Sequence, residues 1–332
     1  MRKMALALTT TVLAVMVAVP LRADVQAWQE EWPDTDFSKS AVDFREILSG
    51  GPPKDGIPSI DDPAFVPVAE ASGLSDTEPV IGLVVNNEAR AYPLSILIWH
   101  EIVNDTVSEV PVTVTYCPLC NSAIVFERAV EGRVLDFGTT GKLRNSDLVM
   151  YDRQTESWWQ QFSGEAIVGA LTGTELKMLP SRLESWAMFK ARAPEGKVLV
   201  PNNANMRAYG RNPYVGYDSR DKPYPLFLGA LPTDVNPMMR VVVVDDEAWT
   251  LPLLREKGTI ERGGVTIRWV AGQNSALDSG RIATGRDVGN VIVQREGGSG
   301  VEDVVHDVTF AFVFRAFTPD GRIHGLETPD AR

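Results

Sequence analysis

The chain has 332 residues, 44% hydrophobic and 23% charged, with 27 Gly and 22 Pro. This is the composition of a folded globular protein, and it excludes disordered, collagen-like and multi-span membrane chains. The net charge of −12 repels phosphate backbones and anionic lipid, which argues against a nucleic-acid partner. Only two cysteines, Cys117 and Cys120, and three histidines, His100, His306 and His324, are present, so four-cysteine zinc sites and multi-disulfide scaffolds are ruled out.

Residues 1–23 carry Arg2, Lys3 and Arg22 but no acid, and Met4 to Val19 is an uncharged apolar run. This is the layout of a secretory signal peptide ending near Ala23, and the run is short for a membrane span. The expectation is a periplasmic or secreted protein with no transmembrane span after signal cleavage. Without those residues, 29 basic side chains face the same 44 acids, a net charge near −15.

Residues 24–50 are predicted as an arm carrying Trp28 and Trp32, followed by a short helix that starts at Ser40–Asp43 and stops at Gly50. A Pro-, Asp- and Gly-rich loop occupies 51–79. Val80–Val85 and Ala89–Tyr92 read as a hairpin, and Pro93–Val103 as a helix on the spacing of Leu94, Leu97, Ile98 and Ile102. Val112–Tyr116 alternates as a strand that leads into Cys117. Ala123–Val130 and Arg133–Phe137 read as a second hairpin, and Leu148–Tyr151 as a short strand. The Ser181–Glu184 capping box introduces a helix with Trp186 and Phe189. An irregular crossing at 201–237 precedes strands at 241–244, 265–270, 291–294 and 308–317. The expected fold is α+β and strand-rich, with a mainly antiparallel sheet, a few short helices and long ordered loops. One large domain at 51–320 and a polar tail at 321–332 complete the division, with 201–237 the place for an internal boundary.

Tyr116-Cys117-Pro118-Leu119-Cys120-Asn121 is the densest chemical signal. A Cys-x-x-Cys pair brings its sulfurs close enough for a disulfide or a shared metal. Strand signals on both sides favour a ligand-bearing turn over a redox helix. His100 is the expected third ligand and His306 a fourth, with Glu101 and Asp307 supporting them. Two thiolates and an imidazole suit copper better than zinc. Two alternatives stay open. One is thiol–disulfide exchange with Cys117 as nucleophile. The other is a ligand-binding scaffold stapled by a Cys117–Cys120 disulfide, with Trp158–Trp159 as a recognition surface. Asp152 and Glu165, beside those tryptophans, form a candidate polar pocket for carboxylate chemistry. Gly138–Gly141 with Arg144–Asp147 has the look of an anion cradle but lacks the Lys-Ser/Thr of a P-loop. The expected partner is a metal ion or small molecule.

The series Lys54-Asp-Gly-Ile-Pro58, Ala91-Tyr-Pro-Leu94, Trp99-His-Glu-Ile-Val-Asn-Asp105, Val114-Thr-Tyr-Cys-Pro-Leu-Cys120, Asn145-Ser-Asp-Leu-Val-Met-Tyr-Asp152 and Gly164-Glu-Ala166 resembles a bacterial family known only as domain of unknown function 3179. Gly285-Arg-Asp-Val-Gly289 extends the likeness. The resemblance spans roughly 50–317 and implies that His100, Cys117 and Cys120 belong to one constellation. It implies no reaction.

Overall fold

The computed structural model describes residues 25–298 and 300–325. The expected signal peptide lies outside them. No helix among the described residues is long and apolar enough to cross a membrane. Strand accounts for 41% of the described residues and helix for 15%, so they are mostly β, and only loosely α+β. Its sheets are mainly antiparallel.

Two antiparallel sheets position the cysteines. In the first, Ile102–Val107, Val110–Cys117 and Ser122–Glu127 form a meander, with Lys177–Leu179 on its outer edge. Alternating β-branched residues such as Val112, Val114 and Thr115 fit the pleated surface. In the second, Phe137–Arg144 pairs with Asp147–Asp152 and leads outward to Trp158–Gln160 and Ala166–Val168. Asn145 and Ser146 both have positive φ (55° and 64°), the backbone of a two-residue hairpin turn whose twist matches the flanking strands. Further sheets surround these, and Arg240–Val244 with Asp307–Phe310 brings the C-terminal part of the chain onto the cysteine hairpin.

The largest apolar core runs from Ile60 to Val313 and includes Met238, Leu277 and Phe310, so residues on both sides of 201–237 share it. Trp28 and Trp32 are buried against Trp158 and Tyr151, and the N-terminal arm caps the second sheet.

Four predicted elements differ. The helix expected from Ser40 is a single 3-10 turn, Phe44–Glu46, followed by the strand Ile47–Ser49. The helix expected at 93–103 is only Leu94–Leu97. It ends where Glu101 turns to positive φ, and Ile102 and Val103 enter a strand. The capping-box segment is the strand Ser181–Ser185; Ser185 itself caps the helix Trp186–Arg192 by accepting from the Met188 amide. The run at 308–317 splits into Asp307–Phe310 and the helix Ala311–Phe317, which is buried on several sides and so has no single apolar stripe.

Candidate metal centre

The Cys-x-x-Cys segment is the turn of the first meander. Cys117 pairs with Ser122 across the hairpin, and the intervening residues fold as a tight loop with the Cys120 amide donating to the Cys117 carbonyl at 3.2 Å. Asn121 has positive φ (54°) and anchors the loop by donating to the Val308 carbonyl at 2.6 Å. Thr309 Oγ1 donates to the Cys120 carbonyl at 2.8 Å, and Tyr217 donates its hydroxyl proton to the Leu119 carbonyl at 3.0 Å. The loop is therefore held from outside its own hairpin at three successive residues.

The turn at Asn145–Ser146 delivers Asp147 to the same place. The two thiol sulfurs and a carboxylate oxygen of Asp147 all lie within 4.8 Å of one another, and all three residues are buried. The alternative of a Cys117–Cys120 disulfide does not hold: both cysteines are free thiols. The hairpin turn leaves their sulfurs gathered with the carboxylate rather than bonded to each other. Asp147 Oδ1 accepts from Gln160 Nε2 at 2.6 Å and from the Phe162 amide at 2.9 Å. Its Oδ2 is buried and meets no N–H donor, and the Cys120 thiol is the one further group that interacts with the carboxylate as a donor. A buried carboxylate oxygen left without an N–H donor is costly unless something positive meets it.

The electrostatics point the same way. Burial pushes Asp147 up to about 7, against the hydrogen bonds it accepts. Glu101, fully enclosed, is pushed up to about 8 by burial and then by the Asp147 charge. Burial also raises both thiols, Cys120 well above the usual cysteine value, with Asp147 adding to each shift. Four acids thus converge, and on Glu101 and both thiols every neighbouring charge that acts is negative. Glu101 also lines a cavity of about 140 Å³ with Leu119, Leu148, Tyr214 and Tyr224.

The three histidines lie elsewhere in chemical terms, and none of them belongs to the three-residue group. His100 Nδ1 is 2.7 Å from the Pro58 carbonyl and so donates to it. Its Nε2 is then the acceptor for the Tyr209 hydroxyl at 2.8 Å. Both ring nitrogens are engaged, burial lowers the pKa, and the neutral ring braces two loops. Glu101, expected to orient His100, has positive φ (59°) and feels the Asp147 charge, while the ring nitrogens of His100 are held by Pro58 and Tyr209. His306 Nδ1 donates to the Val304 carbonyl at 2.8 Å, and the ring lines a separate cavity of about 170 Å³. Asp307 does support the site, as a clamp rather than through a histidine: its Oδ1 accepts from the Ala123 amide at 2.9 Å, just past the cysteine loop. His324 stacks on Trp249 in the short strand Arg322–His324 instead of lying in a solvated tail.

Asp152 caps a turn, accepting from the Thr155 amide, the Thr155 hydroxyl and Trp159 Nε1. Glu165 pairs through its backbone with Glu175 and Gln160. Trp158 and Trp159 are fully buried and offer no recognition surface. The residue that sequence reasoning missed is Asp147. The sequence places Asp147 only in the Arg144–Asp147 anion cradle and in the Asn145–Asp152 motif; a buried carboxylate beside two thiols is no cradle for an anion.

Comparison with curated proteins and with solved structures finds no match to the chain. One family model matches residues 54–321, described as a protein of unknown function (DUF3179), and it takes in all three clustered residues. The chain belongs to that family.

Proposed function

We propose that this is an exported protein that binds one transition-metal ion through Cys117, Cys120 and Asp147. The observation that carries the reading is the gathering of Asp147, a buried carboxylate whose Oδ2 meets no N–H donor, with two buried thiols and no cationic side chain. A divalent cation supplies the missing positive charge and takes the place of the protons that the acids otherwise hold. With carboxylate where imidazole was expected, the donors favour Zn2+ over copper, because zinc accepts thiolate and carboxylate together while Cu(I) selects soft sulfur. Three protein ligands also leave a fourth position for Glu101, water or a small ligand. The raised thiol pKa values weigh against thiol–disulfide exchange, which needs a thiolate near neutral pH. Export rests on the charge and apolar pattern of residues 1–23.

Cobalt substitution tests the site. Titrating metal-free protein with Co2+ under reducing conditions is expected to give thiolate charge-transfer absorption at one equivalent, displaced by Zn2+. Cys117→Ser and Cys120→Ser should each abolish the band, and Asp147→Asn should weaken binding by about 10- to 100-fold. An unchanged titration in the cysteine variants would end the proposal. Tighter retention of Cu(I) than Zn2+, with Asp147→Asn neutral, would return the site to copper.

A further inference from the structure

A further cavity lies away from the cysteines. It is a cleft of about 700 Å³, within the range of small-molecule sites, and Arg286, Asp287 and Val288 of the Gly285–Gly289 motif lie along it. That motif belongs to the family likeness and has no part in the metal centre.

One wall is the Trp269 ring. Its Nε1 donates to the Val288 carbonyl at 3.1 Å, and the ring lies so close to Gly289 that a Cβ there would fall 2.0 Å from the indole nitrogen. Gly289 also has positive φ (80°), so both space and backbone require glycine, and the indole is fixed in place. Met238 and Leu251 add apolar surface.

Charge in the cleft is unevenly committed. Asp218 is held by Arg240 and Arg286 and accepts from Ser275, while Asp287 accepts from the backbone amides of Gly272, Gln273 and Gly289. Arg240 is buried in the cleft wall, and its Nε has no partner. Arg255 and Arg220 sit over the rings of Trp269 and Tyr224, at 5.4 and 4.9 Å, and neither has an ion pair among the described residues. Exposed Asp221 and Glu256 stand at the same cleft, which makes it unsuited to a multiply charged phosphate.

We propose that this cleft binds a small organic carboxylate with a flat apolar body, the body against Trp269 and the carboxylate on Arg255 and Arg220. Guanidinium groups recognise carboxylate by paired hydrogen bonds, and stacking on an aromatic ring orients them for it.

Calorimetric titration with 2-naphthoate, 2-naphthamide and inorganic phosphate tests this on the whole protein. Naphthoate should bind saturably, with the neutral amide and phosphate at least about tenfold weaker. Arg255→Gln, an exposed change in the last turn of the helix Leu251–Lys257, should weaken naphthoate by about tenfold, and Trp269→Ala should remove binding. Cys117→Ser should leave it intact, which separates this site from the metal centre. Equal binding of acid and amide, indifference to Arg255→Gln, preference for phosphate, or no saturation at millimolar ligand would each overturn the proposal.

Discussion

Asp147 and Asp218 are both buried carboxylates in the same molecule, yet their pKa values move in opposite directions. Burial acts on each to raise the value. At Asp218 the Arg240 charge, the Ser275 hydroxyl and Arg286 outweigh it, and the group falls below the usual carboxylate range. At Asp147 the accepted hydrogen bonds are too few, and the group rises to about 7. Burial of an acid therefore says little by itself. A saturated acid is a structural joint, whereas an unsaturated one among other acids marks a place where a positive charge belongs.

The contrast is sharpest in stability. Arg240→Met removes a partner from a buried ion pair and should cost about 3–5 kcal/mol in urea unfolding of the metal-free protein. Asp147→Asn should cost less than about 1 kcal/mol, because asparagine keeps the accepting oxygen and replaces only the one that meets no N–H donor. Comparable losses at the two positions would erase the distinction.

Titration supplies the next test, at intermediate size. Glu101 and Asp147 bind protons more tightly folded than unfolded, so between pH 4 and about 8 these two groups carry more protons in the native state, while His100 and His306, lowered by burial, act in the opposite sense below the ordinary histidine value. The contribution of Glu101 and Asp147 to metal-free stability should then fall as pH rises through that window. Asp218, with its lowered value, contributes in the reverse sense: its stabilisation is present above the ordinary carboxylate range and is lost on acidification. Above the range in which the histidines titrate, thermal melts of metal-free protein should decline from about pH 6.5 to pH 8, and the Asp147→Asn, Glu101→Gln double variant should flatten the decline. A rise over that range in the native sequence would contradict the assignment.

The smallest effect concerns the turn that presents Asp147. Ser146 has positive φ and its hydroxyl is buried without a partner, so Ser146→Gly should stabilise by up to about 1 kcal/mol. Metal affinity should stay the same, since the charge at Asp147 is untouched. A large affinity change would mean that turn geometry, rather than charge, governs the site.

Much of the β framework was legible because hairpins announce themselves in short β-branched runs: Val80–Val85, Val112–Tyr116 and Val265–Val270 all fall within or on observed strands. The helix predicted at 93–103 failed because four leucine and isoleucine positions at helical spacing also describe one buried turn followed by a strand. Cys117 and Cys120 were found by their spacing within one loop. Asp147 joins them through the approach of two separate hairpins, which no local spacing encodes. His100 drew attention by its nearness in sequence to the meander, but its role depends on Pro58 and Tyr209, which pattern reading could not place beside it.

The clamp on the cysteine loop also sets an order of events. Asn121, Ala123 and Cys120 are fastened to Val308, Asp307 and Thr309, contacts separated by 187, 184 and 189 positions along the chain. Contacts so distant in sequence form late, after the loop-closure entropy of the intervening chain has been overcome. The enclosure around the sulfurs is therefore among the last parts of the molecule to close. On the proposed reading of an exported metal site, two neighbouring thiols then stand open to oxidants during folding, and metal and disulfide compete for them before the native state exists.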